Sequence, residues 1–188
     1  DNPEVHEAHR RGIPVFERTQ AWGALMRGYQ NALCISGTHG KTTTTSMCTH
    51  IMMAAEKDPT VMIGGTLPLL KACHRVGKGN TIIMESCEYY NSFLALNPTI
   101  AVVLNIEADH LDFFKDLEDI KHSFRCFAER VPAETGTVIA NYDDANTMDA
   151  LRGIARKVIT FGLNAKADVY AQNIVHRGSV SEVDIYHR

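Results

Sequence analysis

Apolar residues along this chain fall into two rhythms that take turns. Short, nearly continuous apolar runs occur at 32–36, 60–63, 81–84, 100–105, 137–141 and 157–161, each of a length suited to a buried strand. Between them lie stretches with helical spacing. Over 20–29, Trp22, Leu25, Met26 and Tyr29 recur on one face, and over 41–56 Met47, Ile51, Ala54 and Ala55 fall on one side. Further helices are predicted at 117–130 and 144–154. Strands that are apolar throughout are buried on both faces. Their alternation with helices therefore predicts an α/β fold, a mostly parallel sheet with helices on both faces. At the start, "NPEVHEAHRRG" reads as a helical segment stopped by Gly12, followed by a short strand near 13–16. At the end, "DVYAQNIVHRGSVSEVDIYHR" alternates in the manner of a small antiparallel pair turning at 177–179.

Composition narrows the partners. The chain has 188 residues, 45% hydrophobic and 22% charged, with 19 basic and 22 acidic side chains giving a net charge of −3. Both signs are scattered and no basic block occurs, so no nucleic-acid partner is expected. The most apolar stretch, "IAVVL", is far too short for membrane insertion. Five cysteines (Cys34, Cys48, Cys73, Cys87 and Cys126) are widely spaced without a C-x-x-C pair. That pattern predicts reduced thiols in a cytoplasmic protein rather than a disulfide framework or zinc site. A start at Asp1 rather than Met predicts a cut inside a longer protein. The sequence carries no signal of oligomeric state.

The chemistry concentrates first in "ALCISGTHGKTTTTS". The usual phosphate-loop pattern, G-x-x-x-x-G-K followed by Ser or Thr, would place a glycine at position 35, where this chain has Ile35. Gly37 and Gly40 nevertheless make a tight turn between an apolar strand and a helix. Such a turn, including Thr38, His39 and Thr43, aims free backbone N–H groups and a helix dipole at an anion. Lys41 adds a mobile charge for phosphates, and Thr42 a hydroxyl where Mg²⁺ would sit. A plain strand–turn–helix corner explains the glycines but not the lysine or four successive β-branched threonines, which helix interiors disfavour.

Two strand ends downstream offer partners for a metal. "TIIMESCEYYNSF" places Glu85 just beyond an apolar strand, where a carboxylate suits Mg²⁺. Glu88, one turn on, reads equally well as facing solvent. "IAVVLNIEADHLDFF" ends its strand at Asn105 and then presents Asp109, His110 and Asp112 in an acidic loop. Each residue alone has a bland account, a surface acid, a local cap or a helix start. Three such strand ends in one sheet favour a site. "GGTLP" at 64–68 reads as a turn or a wall of the cleft, and "NYDDAN" at 141–146 as an Asp-capped helix start. His39 either touches phosphate or packs on the turn, while His6, His9, His50, His74 and His122 show no metal-ligand pairing.

"GTHGKTTTTSM" resembles the shortened phosphate loop of the Mur ligase family, ATP-dependent amide-forming enzymes of peptidoglycan synthesis. "NIEADHLD" is similar to the segment of members that add L-alanine to UDP-N-acetylmuramate. A branch that attaches a recycled tripeptide usually has an aromatic residue where this chain has Ala108. The resemblance implies a P-loop-type ATP-binding domain using ATP and Mg²⁺, with UDP-N-acetylmuramate and L-alanine as substrates and an acyl-phosphate intermediate. It implies that Lys41 contacts the ATP phosphates, that Thr42 and Glu85 hold one magnesium, and that His110 holds a second. Asn105 would line the substrate side. It further implies that 1–20 are the tail of an N-terminal UDP-binding domain, and that 21–188 are an incomplete central domain whose C-terminal partner is absent. One departure stands out. The family's acidic "EADESD" run is "ESCEYY" here, with Tyr90 in place of the final acid. Other readings are another ligase of the family, a nucleoside-triphosphate hydrolase or kinase (which would need the longer glycine spacing), and a binding module only.

Overall fold

A computed structural model describes residues 2–188. In chain order the elements are α1 (Pro3–Arg10), α2 (Arg18–Met26), β1 (Asn31–Ser36), α3 (Lys41–Ala54), β2 (Thr60–Leu67), β3 (Ala72–Arg75) and β4 (Thr81–Glu85). A 3-10 segment (Tyr89–Ala95) follows, then β5 (Ile100–Val103), α4 (Leu117–Ala128), β6 (Thr137–Asn141), α5 (Ala145–Ala150), β7 (Lys157–Gly162), β8 (Val169–Arg177) and β9 (Val180–His187). The strands form one sheet in the order β3-β2-β4-β1-β5-β6-β7-β8-β9. Pairings from β2 through β8 are parallel, whereas β2–β3 and β8–β9 are antiparallel.

Side-chain alternation explains why the central strands are apolar throughout. Ala32, Cys34, Ile82 and Met84 face one cluster, which also takes in Met26 of α2, Phe93, and Ile120, Phe124 and Phe127 of α4. Ile35 and Ile83 face the opposite cluster with Val61, Ile63 and Val102, against which Cys48 and Met52 of α3 pack. Both faces are thus covered, as the apolar runs require. Burial in the first cluster pushes the Cys34 thiol up to about 12, which leaves it protonated and inert. All five cysteines are free.

Strand order fixes where a ligand can enter. β1 lies between β4 and β5, and the chain leaves it in one direction toward β2 and later in the other toward β6. The C-terminal ends of β4, β1 and β5 therefore splay apart around a crevice at this switch point.

Four sequence expectations change. Residues 13–16 form no strand; they run without regular structure, with Ile13 and Phe16 exposed. The side of α3 bearing Met47 and Ile51 faces solvent, at 61% and 66% exposure. Its buried side carries Thr45 and Thr49, whose hydroxyls donate to the carbonyls of Lys41 and Thr45, each at 2.8 Å. A threonine that satisfies its own polar atom this way packs like a small branched hydrocarbon, so the helix inverts the simple polarity rule. The "GGTLP" stretch lies largely within an extended β2 that pairs with the unforeseen β3, so antiparallel pairing closes both edges of the sheet and not the C-terminal one alone. The 3-10 segment was likewise not anticipated.

Phe93, in that segment, is fully buried, stacked on Phe127 at 4.6 Å and edge-on to Phe124 at 5.3 Å. Phe93→Ala should lower stability by about 3–5 kcal/mol in chemical denaturation, the range for an aromatic cavity. A loss below about 1 kcal/mol would contradict this packing.

Candidate functional site

The loop after β1 is stitched to both neighbouring strand ends before any ligand arrives. Ser86 N–H donates to Ile35 O at 2.9 Å, Leu104 N–H to Ser36 O at 3.0 Å, and Thr38 N–H to Asn105 O at 3.0 Å. Gly37 (φ +145) presses so closely on the β5 end that a Cβ would meet the Leu104 Cβ at 2.9 Å. Gly40 (φ +83) turns the chain into α3 in the left-handed region. The first intrahelical bond is Thr44 N–H to Gly40 O at 2.9 Å. The N–H groups of Gly40, Lys41, Thr42 and Thr43 consequently have no hydrogen-bond partner among the described residues. They sit beside a pocket lined by Thr38, His39, Gly40, Lys41, Thr42 and Thr43. Of the residues expected in the loop, all but Gly37 line this pocket.

Lys41 folds back over this turn. Its ammonium donates to Gly37 O at 2.6 Å, Thr38 O at 3.1 Å and Glu88 Oε1 at 3.2 Å. It also lies 3.0 Å from Glu88 Oε2, as an ion pair without hydrogen-bond alignment, so that buried oxygen lacks a hydrogen-bond partner. Glu88 is only 2% exposed, which corrects its reading as a solvent-facing acid. Its other neighbour is His110, whose Nε2 lies 3.9 Å from Oε1. Glu85 takes a parallel position. It accepts from the Thr42 hydroxyl at 2.9 Å and from Gly64 N–H at 2.6 Å. A Cβ on Gly64 would lie 2.5 Å from Glu85 Oε1, so a side chain there would displace the carboxylate from its present position.

The histidine and asparagine of the third strand end behave differently. The Asn105 amide grips the loop, accepting from His39 N–H at 2.7 Å and donating to His39 O at 3.1 Å. The His39 ring points to Glu107, 3.6 Å away. His110 adopts φ +52, and Tyr89 stacks on its ring at 4.3 Å with 23° between the planes. The Tyr89 hydroxyl donates to Asp112, and that bond, ahead of the contact with Tyr90, raises its pKa well above the ordinary phenol range. Left-handed φ values at Tyr90, Asn91 and His110 concentrate backbone strain beside this loop.

"NYDDAN" does more than cap α5. Asp144 Oδ1 accepts from Thr147 N–H at 2.7 Å, the expected cap, and also from Ile106 N–H at 3.2 Å. Asn141 donates to Leu104 O at 3.0 Å and Asn146 to Ile106 O at 2.8 Å. Three side chains from the β6 end thus clamp the backbone that leads to His110. Sequence reasoning missed this clamp, as it missed Tyr89; the only available signal was a polar cluster immediately after an apolar strand.

Taken together, the crevice holds four free N–H groups, an ammonium, two carboxylates, a threonine hydroxyl and an imidazole. No group of three His, Cys, Asp or Glu among the described residues could cage a metal alone. A hard cation completed by phosphate oxygens suits such a sparse set. The feature that fits it is the buried Glu88 carboxylate, whose Oε1 lies 3.9 Å from His110 Nε2.

Comparison with known proteins agrees with this geometry. Residues 35–187 match the Mur ligase middle domain. The chain is 44% identical over its whole length to the UDP-N-acetylmuramate–L-alanine ligase of Caldicellulosiruptor saccharolyticus, covering 41% of that protein. It is 46% identical over 91% of its length to the enzyme of the same description from Lachnospira eligens, covering 37%. The chain therefore spans about two fifths of the length of the curated relatives it matches. Among solved structures, the UDP-N-acetylmuramate:L-alanyl-γ-D-glutamyl-meso-diaminopimelate ligase of Neisseria meningitides superposes with a TM-score of 0.84 at 25% identity, over 97% of this chain and 60% of that one. The UDP-N-acetylmuramate–alanine ligase of Thermotoga maritima shares the fold with a TM-score of 0.81 at 23% identity, over 100% of this chain and 41% of that one. The match over 35–187 and the identity along the whole chain lead to one conclusion: the chain belongs to the Mur ligase family and carries its middle domain.

Proposed function

We propose that this chain is the ATP-handling part of a cytoplasmic ligase that joins L-alanine to the carboxylate of UDP-N-acetylmuramate in peptidoglycan precursor synthesis. The observation that carries the reading is the 44% identity, along the entire chain, with a relative described by that reaction. Residues 1–20 would be the tail of a UDP-binding domain and 21–188 the central domain.

A carboxylate does not acylate an amine directly, because oxide is a poor leaving group. In the proposed reaction a carboxylate oxygen attacks the γ-phosphorus of ATP, the bond to the bridging oxygen breaks, and ADP departs. The amine of L-alanine then adds to the carbonyl carbon of the acyl phosphate and loses a proton. Collapse of the tetrahedral adduct expels inorganic phosphate and leaves the amide. The chain's contribution is alignment and charge. The N–H groups of Gly40 to Thr43 would receive phosphate oxygens, and Lys41, already held at the loop, would add its charge. Family membership implies ATP and Mg²⁺. Thr42 and Glu85 would hold one ion and Glu88 with His110 a second; magnesium supplies neutralisation of the transferring phosphoryl group. Asn105 serves by fixing His39 and hence the loop.

A second reading is the tripeptide-adding activity named for the Neisseria structure. Ala108 ahead of Asp109 and His110 favours alanine. Offering L-alanine, other amino acids and the tripeptide to the full-length protein with UDP-N-acetylmuramate and ATP separates the two. Phosphate release with the tripeptide alone would overturn the alanine assignment.

In the full-length protein, Lys41→Ala should abolish ATP-dependent ligation while its circular dichroism stays native; near-normal turnover would sink the site. The 188-residue chain alone is expected to bind Mg·ATP weakly in calorimetry and to form no amide. Detectable alanine ligation by it would refute that expectation.

A further inference from the structure

The run "ESCEYY" puts two tyrosines directly after Glu88, and the reaction outlined above uses neither. Their placement is specific. The Tyr89 ring covers one face of His110 at 4.3 Å, and its hydroxyl reaches Asp112, two residues beyond that histidine. Tyr90 at 4.3 Å and Phe113, edge-on at 6.2 Å, hold the Tyr89 ring from other directions. His110 needs such support. Its side chain is 31% exposed, on a loop whose backbone takes φ +52 and whose own carbonyl is occupied by Phe113 and Phe114 N–H groups at 2.9 Å. Nothing in its own backbone fixes the ring. An imidazole free to rotate into water would have to be ordered each time an ion bound.

We propose that Tyr89 is a positioning residue that holds the His110 imidazole edge-on to Glu88, so that a divalent cation carried in with nucleotide phosphate meets both ligands preassembled. The geometry follows from chain adjacency. Glu88 and Tyr89 share one peptide unit, so the segment that places the carboxylate also places the ring that aims its partner. Tyr89 is tethered at Asp112 on the loop of His110 itself, which locks the two strand ends together across the crevice. The inference rests on the reading of Glu88 and His110 as metal ligands.

The test uses the 188-residue chain, with Mn²⁺ titrated in the presence of a non-hydrolysable ATP analogue and free ion read by electron paramagnetic resonance. Tyr89→Leu, which removes stack and tether, should weaken Mn²⁺ binding about tenfold, the size expected for loss of an outer partner of a ligating histidine. Tyr89→Phe keeps the stack and loses one hydrogen bond, and should recover affinity to within about threefold of the native chain. Without metal, the His110 ring protons, shifted upfield by the tyrosine face, should move downfield in the Leu variant and stay in the Phe variant. Native Mn²⁺ affinity in a folded Tyr89→Leu protein, or unmoved His110 resonances, overturns the inference. Should that variant fail to fold, Asp112→Ala on the exposed loop frees the phenol and should cost about threefold, and native affinity there overturns it equally. Absence of Mn²⁺ binding by the unaltered chain would instead bring down the metal reading, and this inference with it.

Discussion

The Glu88 carboxylate is buried to 2% exposure, and the Lys41 ammonium lies against it at 3.0 Å. Most of the crevice is arranged around that pair. Lys41 leans over the turn because Gly37 and Thr38 carbonyls receive its remaining protons, so the ammonium fastens the loop as well as the acid. Removing one member of a buried pair typically costs about 3–5 kcal/mol, because the other is left uncompensated. Both Glu88 oxygens lie near that ammonium, Oε1 in a hydrogen bond at 3.2 Å and Oε2 in an ion pair at 3.0 Å.

Topology brings the remaining groups to that pair. β1 carries the loop, β4 the two carboxylates and β5 the histidine, and these three strands are neighbours at the switch point of the sheet. The unpartnered N–H groups at the start of α3 and the carboxylates of Glu85 and Glu88 therefore border the same crevice. Small closures hold it in place. Gly64 lets β2 approach Glu85, and the Asn105 amide reads both polar atoms of the His39 backbone.

Much of this was legible in residue order. Parallel strands showed as unbroken apolar runs, and the loop showed through Gly37, Gly40, Lys41 and the threonine run despite Ile35 in the usual glycine position. What stayed hidden depended on burial and on contacts between distant segments. Glu85 and Glu88 are the same residue type, both just past one strand, and only packing makes one half-exposed and the other buried. Met47 and Ile51 mark a helical stripe as clearly as any core residue does, yet solvent covers it because bonded Thr45 and Thr49 fill the inner face. Residues 13–16 have the β-prone composition of a strand but no neighbouring edge to pair with, so propensity alone failed.

The clamp from "NYDDAN" has a consequence for how the molecule comes into being. Asn146 and Asp144 grip Ile106 from about forty residues downstream, and Asn141 grips Leu104 across a similar gap. During synthesis, β1, α3 and β4 can associate while the segment that carries His110 still lacks its anchors. That segment gains its fixed shape only after β6 has joined the sheet and α5 has formed, since Asn141, Asp144 and Asn146 follow it in the chain. The turn after β1 also takes hydrogen bonds from Leu104 and Asn105, so both sides of the crevice wait on the segment that follows β5.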